Sequence, residues 1–235
     1  MASLVIPLIA AALTALAIWL HAWILLWPAS VLCAVTIVYA ARAPGAFGKR
    51  LDGGHAWWAW IAWAPMFAYM RLMHEAARSL TREPVANEVA PGVWVGRRPR
   101  VGELPAGVAI VVDLCAELAE LRGVVAAGRY LAIPTLDATS PTPAQLAAAV
   151  DTILAATAGG GGAFIHCAFG HGRSATVAAA VLIRRGDATI DDVEPKMKAR
   201  RPRIGLNPFQ RRALAAAVAL GEVRLAGEAR PPART

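Results

Sequence analysis

The chain has 235 residues, 57% of them hydrophobic and 17% charged, with a formal net charge of +8. Three cysteines at positions 33, 115 and 167 are too few and too scattered for a disulfide framework and agree with a reduced compartment. The basic excess suits an anionic membrane surface or plain solubility; nucleic acid is not expected as a partner, because no aromatic-studded binding module or DNA-reading motif is present.

No Asp, Glu, Lys or Arg occurs before Arg42. One straight helix from Leu4 to Ala40 would be about 55 Å long, against a hydrocarbon core of about 30 Å. Two membrane spans in a hairpin within residues 1–41 are therefore expected, at about 4–20 and 23–41. Trp19, His21, Trp23 and Trp27 fall at the turn, where amphipathic rings favour the interface, and His21 reads as a solvated turn residue. A cleaved signal peptide would need a basic leading segment and a shorter apolar run.

Arg42, Lys49 and Arg50 follow the second span, so the positive-inside rule places that end in the cytoplasm together with the N-terminus. From His55 to Met70 the chain is crowded with indoles and short for a span, and Arg71, Glu75, Arg78 and Arg82 then recur at helical spacing. Residues 42–88 thus read as a basic loop and a Trp-rich interfacial helix or re-entrant hairpin. A third crossing is the alternative, and it would carry everything after it to the opposite side.

Strands are expected at 93–96, 108–112, 129–133 and 163–166, and helices near 115–126, 143–157, 174–185, 190–200 and 208–220. The alternation predicts an α/β domain over 89–222, a mainly parallel sheet flanked by helices and preceded by the helical membrane region. Thr142-Pro143-Ala144-Gln145 and Asn207-Pro208-Phe209-Gln210 are each a complete helix start, with cap, N1 proline and reciprocal glutamine. The glycines at 159–162 form a connection into the next strand and not a nucleotide fingerprint, since no helix follows them. A flexible tail is expected over 223–235.

The chemistry gathers in His166-Cys167-Ala168-Phe169-Gly170-His171-Gly172-Arg173-Ser174, between a buried strand and an alanine-rich helix. Backbone N–H groups of a tight loop entering a helix, with the positive end of the helix dipole, bind a tetrahedral dianion. Arg173 adds a planar fork for two phosphoryl oxygens. The same positive field lowers the pKa of Cys167 and makes a thiolate nucleophile, and His166 and Ser174 are placed to orient or stabilise it. No second Cys/His pair at ligand spacing accompanies His166, Cys167 and His171, so no metal site and no cofactor is expected.

HCAFGHGRS resembles the H-C-x5-R-S signature of the cysteine-dependent phosphatases, most closely their dual-specificity branch. The likeness extends over about residues 90 to 221, through Val93-Trp94-Val95-Gly96-Arg97-Arg98-Pro99 at the front and Arg201-Pro202-Arg203 near the end. It implies attack by Cys167 to give a phosphocysteine, with residues 168–172 and Ser174 as the phosphate-binding loop. It also implies a general-acid aspartate about thirty residues upstream. Tyr130 to Asp137 resembles the strand and loop that carry that acid, which nominates Asp137; Asp113 and Asp151 are the further aspartate candidates.

Together these features lead us to expect an integral membrane protein with a cytoplasmic catalytic domain, as in a bacterial inner membrane. The substrate expected is a phospholipid headgroup, similar to those of phosphatases acting on phosphatidylglycerophosphate or phosphoinositides. The loop holds no Lys or Arg besides Arg173, which favours one or two phosphates over a polyphosphate. Two alternatives stand beside it: a membrane-anchored phosphatase acting on phosphotyrosine or phosphoserine of membrane-protein partners, and a non-catalytic module that binds phosphorylated headgroups.

Overall fold

The computed structural model describes residues 2–220; the tail expected over 223–235 lies outside them. Helix α1 (Ala2–Trp19) and helix α2 (Leu26–Ala40) pack on each other as a hairpin. The chain reverses between them through His21, which adopts a positive φ of 50°, and a 3₁₀ turn over Trp23–Leu25. Residues Trp23–Ala40 form one helical stretch long and apolar enough to cross a membrane; the apolar part of α1, Val5–Trp19, is shorter.

Helix α3 (Trp57–Ala62) and helix α4 (Ala64–Leu80) follow, broken at Trp63. Strands β1 (Ala86–Ala90), β2 (Val93–Arg97), β3 (Val108–Cys115), β4 (Arg129–Thr135) and β5 (Gly162–Cys167) build one sheet in the order β1-β2-β5-β3-β4. The pairs β2–β5, β5–β3 and β3–β4 are parallel, and β1 is an antiparallel edge. Helices α5 (Arg122–Val125), α6 (Pro143–Thr157), α7 (Arg173–Arg185), α8 (Val193–Arg200) and α9 (Pro208–Ala219) complete the domain.

The fold is the expected α/β type with two departures. Residues 115–121 are not helical: the helix near 115–126 shrinks to α5, because Glu117 and Glu120 turn inward to cationic partners, which an exposed helix would not permit. Strand β1 is an addition, and its signal was the turn pair Pro91-Gly92 between two strand-like runs. Both capping boxes form as read, Thr142 with Gln145 and Asn207 with Gln210.

Strand β5 lies at the centre of the sheet, and Phe164, Ile165 and His166 are fully buried. Helix α7 is buried from Arg173 to Ile183, where Ala175, Ala178, Ala179 and Ala180 let it lie close against the sheet. The loop joining β5 to α7 therefore has rigid elements at both ends and sits at the carboxyl edge of the parallel strands, the usual ligand position in such sheets.

The segment before the sheet is clasped onto it. Lys49 Nζ lies 2.7 Å from Asp113 on β3, with both side chains buried. His55 Nε2–H donates to the Ala116 carbonyl at 3.0 Å, and Arg78 at the far end pairs with Glu103. Phe47, Ala59, Trp63 and Phe67 share one apolar cluster with Val31, Val35 and Val38 of α2 and with Ala116 and Leu136. Removing one partner of a buried ion pair strands the other charge, so Lys49→Ala is expected to cost about 3–5 kcal/mol. Thermal unfolding in detergent checks this, and a melting temperature unchanged from wild type would show the clasp to be dispensable.

Candidate active site

Cys167 ends β5 with 4% of its surface exposed. The Gly170 N–H points at its sulfur at 3.2 Å, and the Ser174 hydroxyl lies 3.5 Å away. Burial alone would raise the thiol pKa. The Arg173 charge and the bonds from Ser174 and Gly170 outweigh it, and the net direction is down. Cys115, buried without such donors, is pushed up instead. Alkylation of Cys167 by iodoacetamide should therefore reach half-maximal rate below the pH of about 8.5 set by a free thiol. Ser174→Ala should move that midpoint upward, the rate appearing only as pH rises further; a midpoint that stays put would remove Ser174 from thiolate stabilisation.

The loop is held by its backbone. Gly170 has φ +77°, and a Cβ there would meet the Gly96 carbonyl carbon at 2.4 Å, so only glycine fits. Arg201, fully buried, donates through Nε to the Gly170 carbonyl at 2.9 Å and through Nη2 to the Phe169 carbonyl at 3.2 Å. Pinning these carbonyls away leaves N–H groups for the pocket. Arg201 is itself anchored by Asn87 and Glu83. Ala168 is buried, Phe169 packs beside His74, and His171 Nε2 lies 2.8 Å from Glu83, so these side chains brace the loop from behind. Gly172 faces the Gln210 amide.

Arg173 is 2% exposed, and Glu117 accepts from Nη1 at 2.9 Å and from Nη2 at 2.7 Å. The Thr135 carbonyl takes a further bond from Nη1 at 2.9 Å. One edge of the guanidinium is thus spent on orientation. The other edge remains for substrate: Nε has no partner among the described residues, and Nη2 keeps a second proton. Asp137 lies on that side, its Oδ1 3.2 Å from Nη2 and its side chain 59% exposed at the mouth. The structure thus brings Cys167, Arg173 and Asp137 together. Glu117 escaped the sequence reading because a carboxylate inside an apparent amphipathic helix looks like solvent-facing charge.

His166 points to the far side of β5, between Asp113 at 3.9 Å and Glu120 at 3.1 Å. Desolvation would lower its pKa, but the two carboxylates outweigh it and the shift is upward. Asp113 is held well below the usual range: burial opposes ionisation, and Lys49 and His166 overcome it. His166 therefore supports the nucleophile's strand through a buried charge network and does not touch the thiol pocket. Asp113, Cys115 and His166 bring ligand-type atoms within 4.8 Å of one another. With the Lys49 ammonium already on Asp113 and the Cys115 thiol held protonated, these donors fit an ion-pair network and not a metal.

Residues 107–217 match the family model described as dual specificity phosphatase, catalytic domain. Among solved structures, PTPMT1 in complex with PI(5)P is similar at 23% identity and a TM-score of 0.51, over 58% of this chain and 99% of that one. Tk-PTP in the active form matches at 24% identity and 0.52, over 60% and 99%. Human DUSP28 matches at 26% identity and 0.50, over 58% and 95%. No curated protein matches the chain.

Proposed function

We propose that this chain, a cysteine-based phosphatase whose residues 107–217 form a dual specificity phosphatase catalytic domain, is an integral membrane enzyme that removes a phosphate monoester from a phospholipid headgroup. The observation that carries the reading is the double use of α2. Its inner side, through Val31, Val35 and Val38, shares a core cluster with Ala116 and Leu136, the residues next to Glu117 and Asp137. Its outer side, with α1 and the turn joining them, leaves Leu8, Ile18, Trp19, Trp23, Ile24 and Ile37 exposed. So large an apolar surface belongs in lipid. The catalytic mouth is then fixed at the membrane end of a spanning helix, on the cytoplasmic side by the charge rule, which raises the local concentration of headgroups.

In this reading the Cys167 thiolate attacks phosphorus, and the headgroup oxygen leaves with the proton of Asp137. The free edge of Arg173 and the loop N–H groups hold the three equatorial oxygens. Water then displaces the thiolate from phosphocysteine, returning its proton to Asp137. That such a fold accepts a phosphoinositide is seen in PTPMT1 with PI(5)P. The loop side chains add no cation to Arg173, which supports a headgroup of few phosphates.

The test is phosphate release by detergent-purified protein from phosphatidylglycerophosphate, phosphatidylinositol monophosphate and a phosphotyrosyl peptide, with Cys167→Ser as control. A Cys-dependent preference for one lipid supports the proposal. Preference for the peptide overturns it and makes the hairpin an address for a protein phosphatase.

A further inference from the structure

We propose that Arg42 is a second anion subsite at the catalytic mouth, which selects lipids carrying both a terminal phosphomonoester and an internal phosphodiester joined by a polyol. The proposal rests on the lipid-phosphatase reading above. Arg42 is the first charge of the chain and follows α2 directly. Its backbone is in the left-handed region at φ 51°, costly for a side-chain-bearing residue, and the turn is held by bonds from Arg42 N–H to the Tyr39 carbonyl and from Ala43 N–H to the Val38 carbonyl. The chain thus turns off the helix at a fixed place and sends the guanidinium toward the catalytic domain.

There the guanidinium lies over the Phe209 ring, 5.5 Å from its centroid, and among the described residues no carboxylate pairs with it. Phe209 is in the first turn of α9. Its neighbours Asn207 and Gln210 donate to the Ala138 carbonyl at 2.7 Å and the Thr139 carbonyl at 3.0 Å, directly after Asp137. One turn back on α2, Val38 shares an apolar cluster with Leu136, the residue before Asp137. The end of α2, Asp137, Phe209 and Arg42 therefore form one continuous rim. Arg173 is engaged by Glu117 and Asp137, whereas Arg42 is a rim cation with no ion-pair partner among the described residues, which leaves it for a second phosphate.

Arg42 also stands where a diester would be. The diester phosphate of a glycerophospholipid lies at the plane where acyl chains end and water begins, which is where an apolar helix gives way to its first charge. With the diester on Arg42, a monoester at the free end of the headgroup reaches inward to Cys167. A phosphopeptide lacks the second phosphate, and so does phosphatidic acid, whose single phosphate is the monoester.

The experiment compares phosphatidylglycerophosphate and phosphatidic acid as substrates in nonionic detergent micelles, for wild type, Arg42→Gln, Arg42→Lys and Arg50→Gln. The expected result is a roughly tenfold fall in the kcat/KM ratio of diester lipid to phosphatidic acid in Arg42→Gln, carried by KM, which is the size of one charge-assisted contact. Arg42→Lys should keep part of the ratio, and Arg50→Gln, exposed and paired with Asp52, should keep all of it. Wild type and Arg42→Gln with the same ratio would overturn the subsite and leave the lipid reading standing. Wild type that turns over an aryl phosphate but neither lipid would overturn both.

Discussion

Arg173→Ala is expected to lower kcat/KM on any phosphate monoester by about a thousandfold, the scale seen when a preorganised donor to the transition state is lost. Three consequences add. The Nε and Nη2 edge no longer holds two equatorial oxygens, so substrate binding and rate both fall. Glu117 is left buried without its cation, presenting a negative charge to an incoming dianion. The thiol also loses the charge that opposes its desolvation, so less thiolate exists at neutral pH. Arg173→Lys should recover little, since an ammonium cannot bridge Glu117 and substrate with two parallel edges. Steady-state kinetics on a soluble aryl phosphate, together with binding of tungstate, checks both halves. Activity within tenfold of wild type in Arg173→Ala would remove Arg173 from the mechanism.

What the sequence disclosed and what it hid follow from the range of the interactions concerned. Cys167, Arg173 and the glycines lie within one loop, so their spacing alone fixes the geometry, and β5 and α7 are marked on either side by local apolar pattern. The helix starts at Thr142 and Asn207 were legible for the same reason. Glu117 lies 56 residues from Arg173 in sequence, and Lys49 lies 64 from Asp113, and nothing local distinguishes a carboxylate or ammonium that will be buried from one that stays in water. Arg201 was visible only as part of a familiar segment; its work, turning two loop carbonyls away from the pocket, depends on contacts 31 and 32 residues away. The 42–88 segment read as a surface layer because its indoles dominate the pattern. Its polar residues Lys49, His55 and Arg78 are what bind it to the catalytic domain at both ends.

Asp137→Asn is expected to slow hydrolysis by about 10²- to 10³-fold when the leaving group is an alcohol, and hardly at all when it is p-nitrophenol. An alkoxide cannot depart without a proton, whereas p-nitrophenolate is stable enough to leave unaided. Of the three upstream aspartates weighed for this role, Asp137 is the one placed at the open mouth beside Arg173. Asp113 is buried on Lys49 and held ionised, so it has no proton to give, and Asp151 is exposed on α6 facing Arg184 at 3.7 Å. Asp137 stands at the open mouth, 3.2 Å from the arginine that holds the phosphoryl group, on a loop fixed by Asn207 bonding to the Ala138 carbonyl. The acidic limb of the pH profile belongs to the thiol: Cys167 must ionise, so the rate rises as pH climbs through its lowered pKa, and Asp137→Asn should keep that limb. Equal rate losses for alcohol and p-nitrophenol leaving groups would contradict the assignment and move the search for the acid to a group the substrate brings with it.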